Sequence, residues 1–313
     1  MQKRIILDCD PGQDDAVNIL FALAASDRLE IAGITTVAGN VPLAKTQRNA
    51  RLMCELARRT DIPVYAGCPQ PMLRPLVTAE SVHGREGIDG ADIHEPSLPL
   101  RDGHAVDFIV DTLRAAEDAS MTLVPTGPLT NVATALVEAP EIAPKIREIV
   151  LMGGALREGG NVTPSAEFNI FVDPHAAKIV FACGRPLVAM GLDVTHKALA
   201  TPARLEAIGR LGTSVGRSVK SMLEYFNRHD TEKYGTEGAP LHDPCTVAYL
   251  LEPALFRAKR VHIDVETVSE LTLGETVVDF WGVTALPPNA LWVHEIDAEG
   301  FFELLTERLS RLP

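Results

Sequence analysis

The chain has 313 residues, 46% apolar and 23% charged, an ordinary composition for a soluble globular protein. Its formal net charge of −13 argues against nucleic acid or an anionic membrane as the main partner, since both call for cationic faces, and leaves a small neutral substrate open. No uncharged run reaches the ~20 residues of a membrane span. No long apolar segment precedes Asp8, and the five cysteines form no CxxC pair, so a reduced, cytoplasmic protein is expected.

Strand-like and helix-like patterns alternate along the chain. Residues 4–9 predict a short strand. Over 15–25, Val17, Leu20, Phe21 and Ala24 fall at helical spacing. A strand is expected over 30–37, a long helix over 43–59 and a short strand over 62–66. Residues 68–100 are rich in Pro and Gly and carry no long periodic pattern. A loop of that length inside a domain is uncommon and often functional. A helix over 105–117 and a strand over 121–124 follow, then a turn at Thr126-Gly127-Pro128 into another helix. A strand over 148–152 ends in Gly153-Gly154. Asp173-Pro174 offers an N-cap and first position for a helix reaching 183. A strand is expected over 187–192, with helices filling much of 202–228 and 244–251. Late, antiparallel strands are expected over 261–268 and 275–283, with a closing helix over 300–309.

This alternation implies an α/β fold with a mostly parallel sheet covered by helices on both faces. No linker, low-complexity tract or repeat divides the chain, so one domain over 1–313 is expected. Ligands of open α/β sheets bind at the carboxyl ends of the strands. That rule selects residues 8–15, Gly39-Asn40, 125–130, 153–158 and 193–196.

The first of these segments is the most informative. Asp8, Asp10, Asp14 and Asp15 place four carboxylates in eight positions, where a strand hands over to a helix. Such carboxylates repel one another unless a cation or protons neutralise them. Capping a helix accounts for one or two of them, not four. Asp10 and Asp15 could converge on one cation, and oxygen donors without Cys/His spacing suit Ca²⁺ or Mg²⁺ rather than zinc. Two further clusters read ambiguously alone. His242-Asp243-Pro244 is either a plain Asp-Pro helix start or a second acidic site. Asn161, Glu167 and Asn169 are either a solvated loop or a set able to hold hydroxyl groups.

Together these segments resemble the inosine-uridine nucleoside hydrolase family over nearly the whole chain. The resemblance rests on LDCDPGQDDA at 7–16, TTVAGN at 35–40, VHGREGIDG at 82–90, PTGPLTN at 125–131, IVLMGGA at 149–155, PSAEFNIFVDPHAA at 164–177, GLDVTH at 191–196 and LHDPC at 241–245. It implies a single Rossmann-like α/β domain, usually in a homodimer or homotetramer. It also implies hydrolysis of the N-glycosidic bond of a ribonucleoside to ribose and free base. By the same resemblance, Asp10, Asp15, Asp243 and the Thr126 carbonyl would bind Ca²⁺, and Asp10 would take a proton from the attacking water, with Asn40 nearby. Asp14, Asn169 and Asp243 would hold the ribose 2′- and 3′-hydroxyls, and Asn161 and Glu167 the 5′-hydroxyl. His242 would sit on the leaving-group side and His83 near the base. Position 13, Gln here, varies among relatives and receives no role.

The chemistry needs these groups. Breaking a ribosyl C–N bond develops positive charge on the sugar, which carboxylates stabilise. Water is a poor nucleophile and the departing base a poor leaving group, so a base (Asp10) and an acid are expected. His242 is the best acid candidate because an unperturbed imidazole titrates near neutrality. His83, His94 and His196 are weaker ones. Base contacts are expected from 68–100 and 225–240, with Tyr225, His229, Asp230 and Tyr234 able to stack on a base or hydrogen-bond to it. The GAPLHDPC and VTH patterns resemble the bacterial pyrimidine-preferring members of that family more than the purine-specific ones, which implies pyrimidine nucleosides, with a purine or broad inosine-uridine preference as the alternative. Two other readings stand beside these. In a haloacid-dehalogenase-type phosphatase Asp8 would be the nucleophile and Mg²⁺ the metal. A non-catalytic nucleoside sensor would keep the sugar contacts alone.

Overall fold

The computed structural model describes residues 2–313, with 229–234 as backbone alone. Among them nine strands form one sheet: β1 (Lys3–Cys9), β2 (Leu29–Thr36), β3 (Val64–Ala66), β4 (Met121–Pro125), β5 (Ile146–Met152), β6 (Leu187–Met190), β7 (Phe256–Val265), β8 (Thr276–Asp279) and β9 (Ala290–Ile296). Their order is β3-β2-β1-β4-β5-β6-β9-β7-β8. Every pair from β3 to β9 is parallel, and β7 runs antiparallel to both β9 and β8.

The run Ile5-Ile6-Leu7 shows why this sheet is covered on both faces. Successive side chains of a strand point to opposite sides. Ile5 and Leu7 enter one core and Ile6 the other, and all three are buried. Helices α1 (Gln13–Ala24) and α2 (Leu43–Leu56) cover the first face; the short α3 (Glu80–His83) lies in the 68–100 segment. The second face is covered by α4 (Ala105–Arg114) and α5 (Thr130–Glu138), followed by the short α6 (Phe168–Val172) and then by α7 (Pro174–Phe181) on that same face. After the short α8 (Leu192–Thr195), α9 (Pro202–Gly209), α10 (Ser214–Tyr234), α11 (Pro244–Leu251) and α12 (Ala298–Leu309) return to the first face. The Asp173 side chain caps α7 by accepting from the Ala176 N–H at 3.0 Å, with Pro174 in the first position, as expected.

The late strands differ from expectation. There are three, not two, among the described residues: β9 at 290–296 was not foreseen. Its buried residues are Ala290 and the adjacent pair Trp292 and Val293, followed by His294-Glu295, so it shows no clear alternation. Strand β8 stops at Asp279 rather than 283, because the Asp279 carboxylate accepts from the Val283 and Thr284 N–H groups and turns the chain away. Strand β7 starts at Phe256 rather than 261. The strand expected to 192 stops at Met190, and Leu192 already begins α8.

Going outward from β1, the chain proceeds to β2 on one side and to β4 on the other. The order 3-2-1-4-5-6 therefore reverses between β1 and β4, and a crevice opens there at the strands' carboxyl ends. Asp10 follows β1 and Thr126 follows β4.

Candidate active site

The crevice floor begins with the turn from β1 into α1. Gly12 is the N-cap of α1, and Asp15 at its third position accepts from the Gly12 N–H at 3.2 Å. The capping reading of Asp15 thus holds, but only for part of its carboxylate. Asp15 Oδ1 accepts from the Thr126 hydroxyl at 2.7 Å, and Oδ2 also accepts from the Asn40 amide at 3.2 Å. Asp10 Oδ2 accepts from the Asn40 backbone N–H at 2.7 Å, and the Asn40 amide reaches the Asp10 carbonyl at 3.2 Å. Asn40 therefore ties β1, α1 and the loop after β2 together. Gly39 and Gly127 flank Asp10 so closely that a Cβ at either would lie 2.1 or 2.6 Å from a carboxylate oxygen. Glycine is required at both, which gives a physical reason for TTVAGN and PTGPLTN.

Asp243 completes the floor from far along the chain. It occupies the N-cap position of α11, with Pro244 next, yet its side chain makes no cap hydrogen bond. The plain helix-start reading therefore fails for the carboxylate. One oxygen from each of Asp14, Asp15 and Asp243 lies within 4.8 Å of the others, and all three residues are buried. Burial, together with the neighbouring carboxylates, holds Asp243 and Asp10 well above the ordinary carboxylate range. Burial raises Asp15 as well, against the hydrogen bonds that pull it down. Asp10 Oδ1 is buried with no hydrogen-bond partner among the described residues. Four acids that cannot all ionise side by side, with one such oxygen, fit a hard cation. The expected ligand set had Asp10 where the structure gathers Asp14; Asp10 adjoins Asp15.

Asp8 stands apart. It is 1% exposed, and Oδ1 accepts from the Thr35 hydroxyl at 2.6 Å and the Asn131 amide at 2.8 Å. Burial pushes its carboxyl up to about 6. It does not line the cavity.

The opposite wall comes from the chain after β5. Glu167 caps α6, its oxygens accepting from the N–H groups of Asn169, Ile170 and Gly154 at 3.0, 3.3 and 3.0 Å. Burial nonetheless lifts its carboxyl to about 7. The Asn169 amide donates to the Thr126 carbonyl at 2.7 Å and the Met152 carbonyl at 3.2 Å, which fixes its orientation. Asn161 Oδ1 accepts from the Phe168 N–H at 2.9 Å. Glu167 and Asn169 are buried, so the solvated-loop reading does not hold for them.

One cavity of about 330 Å³ joins these walls, lined among others by Asp14, Asn40, Thr126, Asn161, Glu167, Asn169 and Asp243. Asp10 and Asp15, both 0% exposed, back its floor through Asn40 and Thr126. His83, His196 and His242 also line it. His83 packs beside Gly12 and Asn40, where a Cβ on Gly12 would lie 2.4 Å from its Nδ1, and His242 directly precedes Asp243. His242 Nδ1 lies 2.7 Å from the Thr195 hydroxyl, and its ring is 5.8 Å from that of His196. The near-neutral titration expected of His242 is not found, since burial, with His196 and His83, holds it well below the ordinary value. His94 is drawn off to Glu55 and Asp92 and does not line the cavity. The side chains of His229, Asp230 and Tyr234 lie outside the described residues. The segments 68–100 and 225–240 do line the cavity as expected, through residues not singled out from sequence, Thr78, Ser81 and Phe226; Thr276, outside the lining, was not foreseen at all. The Thr276 hydroxyl bonds both the N–H and the carbonyl of Ala155, at 2.9 and 2.6 Å, and so braces the wall after β5 from β8.

By comparison with known proteins, the chain is an enzyme that cleaves N-ribosyl bonds. Residues 5–303 match the profile of the inosine-uridine preferring nucleoside hydrolases, and the chain belongs to that family. It is 47% identical over 311 residues to the pyrimidine-specific ribonucleoside hydrolase RihA of Salmonella typhimurium, covering 99% of each chain. It is 49% identical over 310 residues to an uncharacterized protein of Schizosaccharomyces pombe, covering 99% of this chain and 100% of that one. A solved purine-preferring ribonucleoside hydrolase from Gardnerella vaginalis superposes with a TM-score of 0.91 at 33% identity, over 98% of both chains. The phosphatase and sensor readings fall with this membership. Asp8, bonded by Thr35 and Asn131 away from the cavity, is no nucleophile.

Proposed function

We propose that the chain hydrolyses pyrimidine ribonucleosides, uridine and cytidine, using calcium, and works in the cytoplasm as a homodimer or homotetramer. The observation that carries this reading is one cavity lined by buried carboxylates together with Asn161, Glu167, Asn169 and three histidines. The pyrimidine lean draws on 47% identity to a relative named for that specificity. The assembly and the compartment rest on the family resemblance and the cysteine usage.

Asp10, Asp15, Asp243 and the Thr126 carbonyl would hold the ion, with the Asp14 carboxylate beside them. Bound there, calcium would supply the positive charge that makes a water more acidic. Asn40 occupies Asp10 Oδ2 and so leaves Oδ1 to take the water's proton. Asp14, Asn169 and Asp243 hold the 2′- and 3′-hydroxyls. Asn161 and Glu167 hold the 5′-hydroxyl. The carboxylates oppose the positive charge that grows on the ribosyl ring as the C–N bond stretches.

On the leaving-group side, His242 Nδ1 lies 2.7 Å from the Thr195 hydroxyl; with that hydroxyl as donor, the neutral ring would carry its proton on Nε2 and donate it as a hydrogen bond to the departing base. His83 and Tyr234 contact the base. A panel of uridine, cytidine, inosine and adenosine, assayed for released base with and without a chelator, tests the reading. Faster release from the two pyrimidine nucleosides, lost on chelation, is expected. Faster release from inosine would replace it with the broad inosine-uridine reading.

A further inference from the structure

Gln13 is fully buried at the start of α1, yet its side chain leaves the helix and reaches residues 83–89. Its amide nitrogen donates to the His83 carbonyl at 2.9 Å and the Asp89 carbonyl at 3.3 Å. Backbone carbonyls only accept, so these two bonds fix which end of the amide carries the hydrogens. The other end, Oε1, then faces His83 Nδ1 at 2.8 Å. An amide oxygen also only accepts, so Nδ1 must carry a proton. A neutral imidazole has one ring proton, which makes Nε2 the acceptor. That is the reverse of the tautomer free histidine prefers. The ring plane is held as well, stacked on Phe226 with centroids 5.3 Å apart and 20° between planes.

We propose that Gln13 is a positioning residue that fixes His83 as its Nδ1–H tautomer, so that the ring meets the base as a hydrogen-bond acceptor. The substrate class follows: a base whose edge offers an N–H towards His83, met by an acceptor there and by a donor at His242. This rests on the reading above that places His83 on the base side. Position 13 thereby acts on the base through His83, though it adjoins the carboxylates in sequence.

Long-range ¹H–¹⁵N spectra of the histidine rings of the full chain without substrate, at a pH where the rings are neutral, test the tautomer. The His83 signals are assigned by their loss in His83→Gln. The expected wild-type pattern has a protonated Nδ1 and an unprotonated Nε2 for His83, and Gln13→Met loses that preference. KM for uridine in Gln13→Met is expected to rise about tenfold, the size of one hydrogen bond, with kcat changed far less. A wild-type His83 protonated on Nε2 would overturn the proposal, and so would a Gln13→Met spectrum unchanged at His83. An unchanged KM alongside the altered spectrum would overturn its extension to the base. If Gln13→Met does not fold, the wild-type spectrum decides alone. The spectra need no turnover, so their outcome is separate from whether uridine is the substrate.

Discussion

The floor of the cavity and its rim are built by different means. The floor joins the ends of β1, β2 and β4 to the starts of α1 and α11, and its members bond one another: Asn40 to Asp10 and Asp15, Thr126 to Asp15, Asn169 to Thr126. The rim takes Thr78, Ser81 and His83 from the loop-rich 68–100 segment and Phe226 from α10, beside backbone whose side chains lie outside the described residues. The lesson is a division of labour. The groups proposed to hold a cation and a ribose stand mostly at strand ends and helix starts, while those proposed to meet the variable base come from the loop-rich 68–100 segment and from α10.

The comparison breaks first at Asp10. Asp10→Ala is expected to lower kcat/KM for uridine by about a thousandfold or more, as removal of a general base does. Steady-state kinetics at saturating calcium check it, and a loss of only a few-fold would mean that the floor does not perform the chemistry. His242→Ala sharpens the contrast at the boundary of floor and rim. A loss of about a hundredfold is expected on uridine, against less than about tenfold on an activated aryl riboside that needs no help to leave. Equal losses on both would remove His242 from the leaving-group side.

Glu167 probes the wall through pH. Burial raises its carboxyl from 4.5 to about 7 in the folded protein. A carboxyl raised by folding stabilises the fold fully below its unfolded value and loses that contribution as pH rises through the folded one. Calcium-free wild type should therefore lose stability relative to Glu167→Gln as pH rises from about 4.5 to 7, by on the order of 3 kcal/mol. Melting curves of the pair across that range would show a constant gap if the carboxyl were already ionised throughout. The smallest effect belongs to the rim. Phe226→Leu removes the stack on His83 and should raise KM a few-fold with kcat nearly unchanged, a cost of about 1 kcal/mol. A drop in kcat alone would place Phe226 in the chemistry instead.

Much of the floor was legible because its residues come in short runs whose local geometry constrains them. The aspartates of 8–15 cross a strand-to-helix turn, and no set of caps accounts for four of them. Asp243 was ambiguous locally, since Asp-Pro commonly opens a helix. Only the fold shows that its carboxylate does no capping and turns to Asp14 and Asp15. The rim was legible as segments, 68–100 and 225–240, and in His83, but not in its other side chains. Residues 68–100 have no period to anchor Thr78 or Ser81, and Phe226 reads as an ordinary core position of α10. Thr276 was hidden for another reason: its partner Ala155 lies 121 residues away, and nothing near Thr276 in sequence signals that contact. The missed β9 belongs with these, its buried centre too short to show alternation.

The most direct measurement follows uracil release from uridine by chelated protein as calcium is added back. Activity should vanish on chelation and return in full at one calcium per chain, with Asp243→Asn needing far more calcium to recover. Full turnover by the metal-free protein, or recovery in Asp243→Asn at the wild-type calcium concentration, would contradict a floor assembled to hold one cation.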